Sequence, residues 1–178
     1  MPKPSLDELL APSYVEALED LPLPEVRARR GAATEVETGL SYLRRLVQGR
    51  LDIVAAERDR RAAGQAEGDV ADLVERLPGI LSDHVRAPGL GRLPSTMGPG
   101  EVDEALLAEL DRLVPPEDLS HLGNLSDEQL ATVVSGVDGL EQNVSRRRKA
   151  LFDVIDRLQA EIVRRYRTGE ANVDNLLA

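Results

Sequence analysis

Two sets of side chains in this chain have the types and spacing to act together. The first is Glu37, Ser41, Arg44, Gln48 and Asp52; the second, about a hundred residues later, is Glu141, Ser145, Arg148, Phe152 and Asp156. Arginine presents a planar fork that fits the O6 and N7 edge of guanine, a carboxylate accepts from guanine N1–H and N2–H, and a serine hydroxyl meets a phosphate oxygen. Each set therefore has the chemistry of a guanine-nucleotide contact. The same residues also suit i,i+3 and i,i+4 links on a solvated helix face. Repetition separates the two readings: four matches at fixed spacing arise by chance on the order of once in a thousand chains of this length, if each residue type occurs at about 5–7%. Shared ancestry of two helices explains repetition of a seam, but not of a polar stripe beside it.

The spacing of four, three, four and four residues places all five side chains within an arc of roughly 80° on a helix, over about four turns. An apolar ladder runs one residue ahead of each set. It reads Val36, Leu40, Leu43, Val47 and Leu51 in the first, and Leu140, Val144, Leu151 and Ile155 in the second, with Arg147 interrupting it where Leu43 stands in the first. The stripes thus flank a coiled-coil seam, and pairing the two helices would bring both sets together.

The rest of the chain supports a helical reading. Of its 178 residues 42% are hydrophobic but only 2% aromatic (Tyr14, Tyr42, Phe152, Tyr166), so the core is aliphatic. The fold class expected is all-α: a long coiled-coil helical hairpin with short accessory helices, whose connection is long enough for either helix direction. Residues 1–24 hold short amphipathic pieces broken by Pro12, Pro22 and Pro24, read either as a loosely packed terminus or as a segment that docks on a partner. Residues 25–64 form the first long helix, which starts near Pro24 or at Thr34; a start at Thr34 would divert Glu37 into a capping box. Residues 65–125 connect the long helices through a helix over 69–85 kinked at Pro78, a loop over 87–100 rich in Pro and Gly, and a helix over 101–114. Residues 126–169 form the second long helix, opened by a Ser126/Gln129 capping box and stopped by Gly169, and residues 170–178 are a tail.

Composition excludes several functions. The formal net charge of -10, from 32 acidic and 22 basic residues, argues against direct binding to DNA or RNA, though such a protein suits the basic surface of a nucleic-acid-binding partner. The absence of cysteine rules out a thiolate site. The start lacks a signal-peptide pattern and no apolar run approaches the ~20 residues of a membrane span, which reads as a cytoplasmic protein. No metal or catalytic constellation is evident: His84 and His121 are isolated, and the glycines of residues 89–100 lack a Gly-Lys-Ser/Thr ending. Glu-Ala-Leu occurs at Glu16 to Leu18 and Glu104 to Leu106, but a phosphodiesterase barrel of ~250 residues does not fit in this chain.

The pattern Glu-x3-Ser-x2-Arg-x3-Gln-x3-Asp on two helices of an antiparallel coiled coil resembles the cyclic di-GMP-binding signature of the RsiG-type anti-sigma factors of sporulating actinobacteria. The resemblance covers about 20 residues of each long helix and the general layout of the chain, and it implies that the coiled-coil helical hairpin is antiparallel. It implies a regulator, not an enzyme, that holds two cyclic di-GMP molecules between its long helices and sequesters a flagellar-type sporulation sigma factor, WhiG. It also implies that high dinucleotide keeps the sigma factor inactive. On that resemblance Arg44 and Arg148 face guanine or phosphate, Glu37, Glu141, Asp52 and Asp156 take guanine N–H groups, and Ser41 and Ser145 meet phosphates. Gln48 matches the pattern; Phe152 departs from it and exchanges an amide for a ring that stacks on a base. Arg45, Arg146, Arg147 and Lys149 add positive potential beside the stripes. The residues by themselves leave a second reading open, a ligand-free coiled-coil adaptor whose polar stripe is a specificity seam.

Overall fold

Ser126 opens the second long helix by capping it: its hydroxyl accepts from the Gln129 amide at 3.2 Å while the Gln129 side chain takes the Ser126 N–H at 2.8 Å. The computed structural model describes residues 4–64, 70–82 and 102–171. Within them the α-helices are α1 (Leu6–Leu10), α2 (Leu23–Ala62), α3 (Val70–Ser82), α4 (Glu104–Leu113) and α5 (Asp127–Thr168). Short 3₁₀ turns lead into both long helices, and the described residues contain no strand. Gly169, at φ 76°, ends α5 in the left-handed conformation that glycine adopts without steric cost.

The long helices pack together and run antiparallel. Arg27 bonds the Tyr166 hydroxyl at one end, and Arg61 meets Asp127 at 2.8 Å at the other. Leu40, Leu43 and Val47 of α2 and Leu140, Val144 and Leu151 of α5 are buried, while Val36, Leu51 and Ile155 pack partly buried against them. Each such side chain withdrawn from water contributes about 1.5–3 kcal/mol. The ladder's gap at Arg147 is spanned from outside: its guanidinium lies 3.6 Å from Asp7 of α1 and its Nε donates to Asn143. No helix among the described residues is long and apolar enough to cross a membrane.

The first long helix starts at Leu23, behind Pro22, and not at Thr34, whose hydroxyl bonds back to the Arg30 carbonyl in mid-helix. Glu37 is therefore free of capping duty and stays in the stripe. The connector helix runs through Pro78. The helix expected over 101–114 begins at Glu104, because the Asp103 carboxylate accepts from the amides of Ala105 and Leu106 and fixes its first turn there. His84, the loop over 87–100, Glu101 and the last residues of the tail lie outside the described residues.

The N-terminal segment departs most from expectation. From residue 4 onward it is not loosely packed: it folds onto the hairpin, with Leu6, Leu9, Val15 and Leu18 buried. The reason is backbone accounting. Its broken turns leave carbonyls that need donors, and arginines of the long helices supply them. Arg29 donates to the Tyr14 carbonyl at 2.8 Å, Arg157 to that of Val15 at 3.3 Å, and Arg165 to those of Leu18 and Leu21.

The repeat seen in the stripes extends through much of the chain at the same offset of 104 residues that separates Glu37 from Glu141. Leu6, Pro12, Leu18 and Leu21 are matched by Leu110, Pro116, Leu122 and Leu125, and Glu57, Arg60 and Arg61 by Glu161, Arg164 and Arg165. The hairpin is thus built from two like halves, each a short helix, a pair of 3₁₀ turns and a long helix.

Candidate functional site

At the middle of the hairpin the two stripes face one another and bond across the seam. Arg44 Nε donates to Glu141 Oε1 at 3.0 Å and to Ser145 Oγ at 2.8 Å. Arg148 Nε repeats this in the other direction, to Glu37 Oε1 at 2.9 Å and Ser41 Oγ at 2.6 Å. Within each helix the serine hydroxyl, one turn on from the carboxylate, donates to it: Ser41 to Glu37 at 2.6 Å and Ser145 to Glu141 at 2.9 Å. Helical spacing sets these local bonds, and antiparallel pairing sets the long ones.

Each cluster thus takes its arginine from one helix and its carboxylate and hydroxyl from the other. The arginine side chains are 34% and 31% exposed and their glutamates 16% and 14%. At that exposure the ion pairs are only partly desolvated, so they add modestly to stability while their polar edges stay reachable from solvent. The fifth pattern residues, Asp52 and Asp156, stand one turn beyond Gln48 and Phe152 at the two ends of the site, Asp52 half-buried and Asp156 exposed. Gln48 Nε2 donates to Glu141 Oε1 at 3.2 Å. Phe152, at the equivalent place on α5, lies with its ring centre 4.7 Å from the Arg148 guanidinium carbon, a cation–π contact.

Chemically, a guanidinium opposite a carboxylate is what a guanine base would bridge, with O6 and N7 toward the arginine and N1–H and N2–H toward the carboxylate. No set of three His, Cys, Asp or Glu able to hold a metal occurs among the described residues. His121 Nδ1 lies 3.0 Å from both the Glu117 carbonyl and the Ser120 hydroxyl, within its own turn. Of the extra basic residues, Arg147 is engaged by Asp7 and Asn143, whereas Arg146 and Lys149 are exposed.

A second twin set, which attention to the stripes alone misses, positions the site. Near the C-terminal end of each long helix one glutamate grips two arginines. Glu57 accepts from Arg60 at 2.7 and 2.6 Å and from Arg61 at 2.7 Å; Glu161 accepts from Arg164 at 2.8 and 2.9 Å and from Arg165 at 2.7 Å. The second arginine of each pair then reaches the turn leading into the opposite long helix. Arg61 bonds the carbonyls of Leu122, Gly123 and Leu125, and Arg165 those of Leu18, Glu19 and Leu21. Hydrogen bonds from Arg164 and Arg165 hold the Glu161 carboxyl down at about 2 against burial, and bonds from Arg60 and Arg61 likewise hold Glu57 below the usual carboxylate range. The signal was in the sequence, since both triplets obey the offset of the stripes.

The fold and the clusters together define a regular class of architecture, an all-α antiparallel hairpin whose polar clusters are each built from both long helices. The family model described as RsiG-like matches residues 12–81 and 116–178, and the chain belongs to this family. Each matched block contains one stripe and one glutamate–arginine triplet. The family is one of regulatory anti-sigma factors rather than enzymes, which indicates an anti-sigma role in general for this chain. No curated protein matches the chain.

Proposed function

We propose that the chain is a cyclic di-GMP-responsive anti-sigma factor of the cytoplasm, that its twin clusters hold a pair of cyclic di-GMP molecules, and that its target is a WhiG-like sporulation sigma factor of the flagellar type. The observation that carries this reading is the reciprocity of the clusters, Arg44 on Glu141 and Ser145, Arg148 on Glu37 and Ser41. An approximate two-fold site suits a pair of ligands that are themselves two-fold symmetric. The ligand exchanges the arginine–glutamate bonds for guanine and phosphate contacts, with Glu37, Glu141, Asp52 and Asp156 accepting guanine N–H groups. Gln48 adds an amide and Phe152 a stacking surface. The regulation is linkage: a ligand that prefers the sigma-competent state raises sigma affinity by the same factor as sigma raises ligand affinity.

The test is calorimetric titration of the full chain with cyclic di-GMP, and with GTP and cyclic di-AMP as controls, repeated with Arg44→Ala plus Arg148→Ala and with the sigma factor present. Two cyclic di-GMP per chain, lost in the double variant while helicity persists, is the expected result. The cross-seam bonds also favour a second reading, an adaptor in which they serve only to fix helix pairing. Under it the double variant loses pairing or stability and no dinucleotide binds in either titration.

A further inference from the structure

The two clusters are built alike but held unequally. At Glu141, three donors converge on Oε1: Arg44 Nε at 3.0 Å, Ser145 Oγ at 2.9 Å and Gln48 Nε2 at 3.2 Å. At Glu37, Arg148 Nε and Ser41 Oγ donate at 2.9 and 2.6 Å, and the residue standing where Gln48 stands is Phe152, which has no polar atom to offer. Its ring instead lies 4.7 Å from the Arg148 guanidinium carbon and is half-buried.

Two consequences follow for a purine that enters between arginine and carboxylate. At the Arg44 cluster it must displace the Gln48 amide from Glu141, so whatever that amide gives the ligand is offset by the bond it leaves. At the Arg148 cluster there is no amide to displace, and the ring that the guanidinium now covers is an aromatic partner on which an entering base can stack in its place. We infer that Phe152 makes the site fill in two unequal steps, the Arg148–Phe152 half first with a guanine stacked on the ring, the Arg44–Gln48 half second. This rests on the reading of the stripes as a guanine-dinucleotide site.

The experiment is a titration of the full chain with cyclic di-GMP, resolved into its two steps, for the wild type and for Phe152→Gln, Phe152→Leu and Gln48→Phe. The wild type shows two dissociation constants separated by about ten- to a thousandfold, the span expected from one displaced hydrogen bond and one base–ring stack. Phe152→Gln brings the two together by weakening the tighter step. Phe152→Leu does the same while melting temperature and helicity stay at wild-type values, which separates loss of stacking from loss of packing. Gln48→Phe tightens the weaker step. Two equal steps in the wild type, a single cooperative step, or a separation that survives in Phe152→Gln would each overturn the inference and leave the dinucleotide reading standing. No binding of cyclic di-GMP to the wild type, alone or with the sigma factor, would overturn that reading and this inference with it.

Discussion

Arg61 and Arg165 occupy equivalent places in the two halves and perform the same structural task at opposite ends of the hairpin. Each is held by a glutamate one turn earlier and takes the backbone carbonyls of the turn that feeds the other long helix. Arg165 is the more enclosed, with a side chain 7% exposed against 19% for Arg61. Replacing Arg165 by Met leaves buried carbonyls and the Glu161 carboxylate with fewer donors and is expected to cost about 3–5 kcal/mol. Arg61→Met costs less, about 1–3 kcal/mol. Urea unfolding of both variants checks the order, and amide exchange should show residues 5–20 opening first in Arg165→Met.

The acid limb of the stability curve carries the signature of Glu161. Its folded-state pKa, about 2, lies below the ordinary 4.5. The unfolded chain therefore binds the proton more readily. The stabilisation is complete above about 4.5 and is lost as pH falls toward 2. Melting temperature should be flat with respect to this group above pH ~5 and decline below it. In Glu161→Gln the neutral-pH melting temperature drops and the decline between pH 4.5 and 2 becomes shallower. A decline of unchanged slope would mean that other carboxylates dominate the acid response.

The seam and the stripe should separate in a stability series. Leu43 and Leu151 are fully buried, so Leu43→Ala and Leu151→Ala are expected to destabilise by about 2–5 kcal/mol each. Arg44→Ala removes a pair that is one-third exposed on the arginine side and costs about 1 kcal/mol or less. Circular dichroism melts of the three variants give the comparison. A loss for Arg44→Ala as large as for the leucines would favour the adaptor reading.

Three helical glycines offer a control on packing. A methyl at Gly31 in α2 or Gly139 in α5 meets nothing within 4 Å, so Gly→Ala at either is expected to stabilise by roughly 0.5–1 kcal/mol through helix propensity. At Gly136 the methyl would sit 2.7 Å from a terminal carbon of Leu113, which packs α4 on α5. Gly136→Ala should forfeit that gain, in part or whole, as Leu113 is pushed aside.

The long helices and their stripes were legible in the sequence, because apolar periodicity and the Ser126 capping box are local signals that the tertiary fold merely uses; the direction of their pairing was not, since the connection between them is long enough for either. Glu37 shows the limit of such reading. Its capping-box spacing from Thr34 was real, but the helix had already started at Leu23, eleven residues earlier, and an interior threonine has no cap to make. The close packing of the N-terminal segment escaped the sequence for a different reason. Its helices are too short to stand alone, and what fixes them is donors from Arg157 and Arg165, some 140 residues away in sequence. The crosswise partnership of Arg44 with Glu141 and Ser145 likewise depends on helix register. The 104-residue offset, followed past the stripes to Glu57 and Glu161, would have exposed the arginine clamps.

Both halves of the hairpin lie on one polypeptide, so bringing Arg44 to Glu141 is an intramolecular event. Its effective concentration is set by the connection between the helices and does not fall on dilution. A site divided between two chains would come apart as protein levels dropped. In this chain the amount of assembled site tracks the amount of protein in direct proportion, even when the protein is scarce.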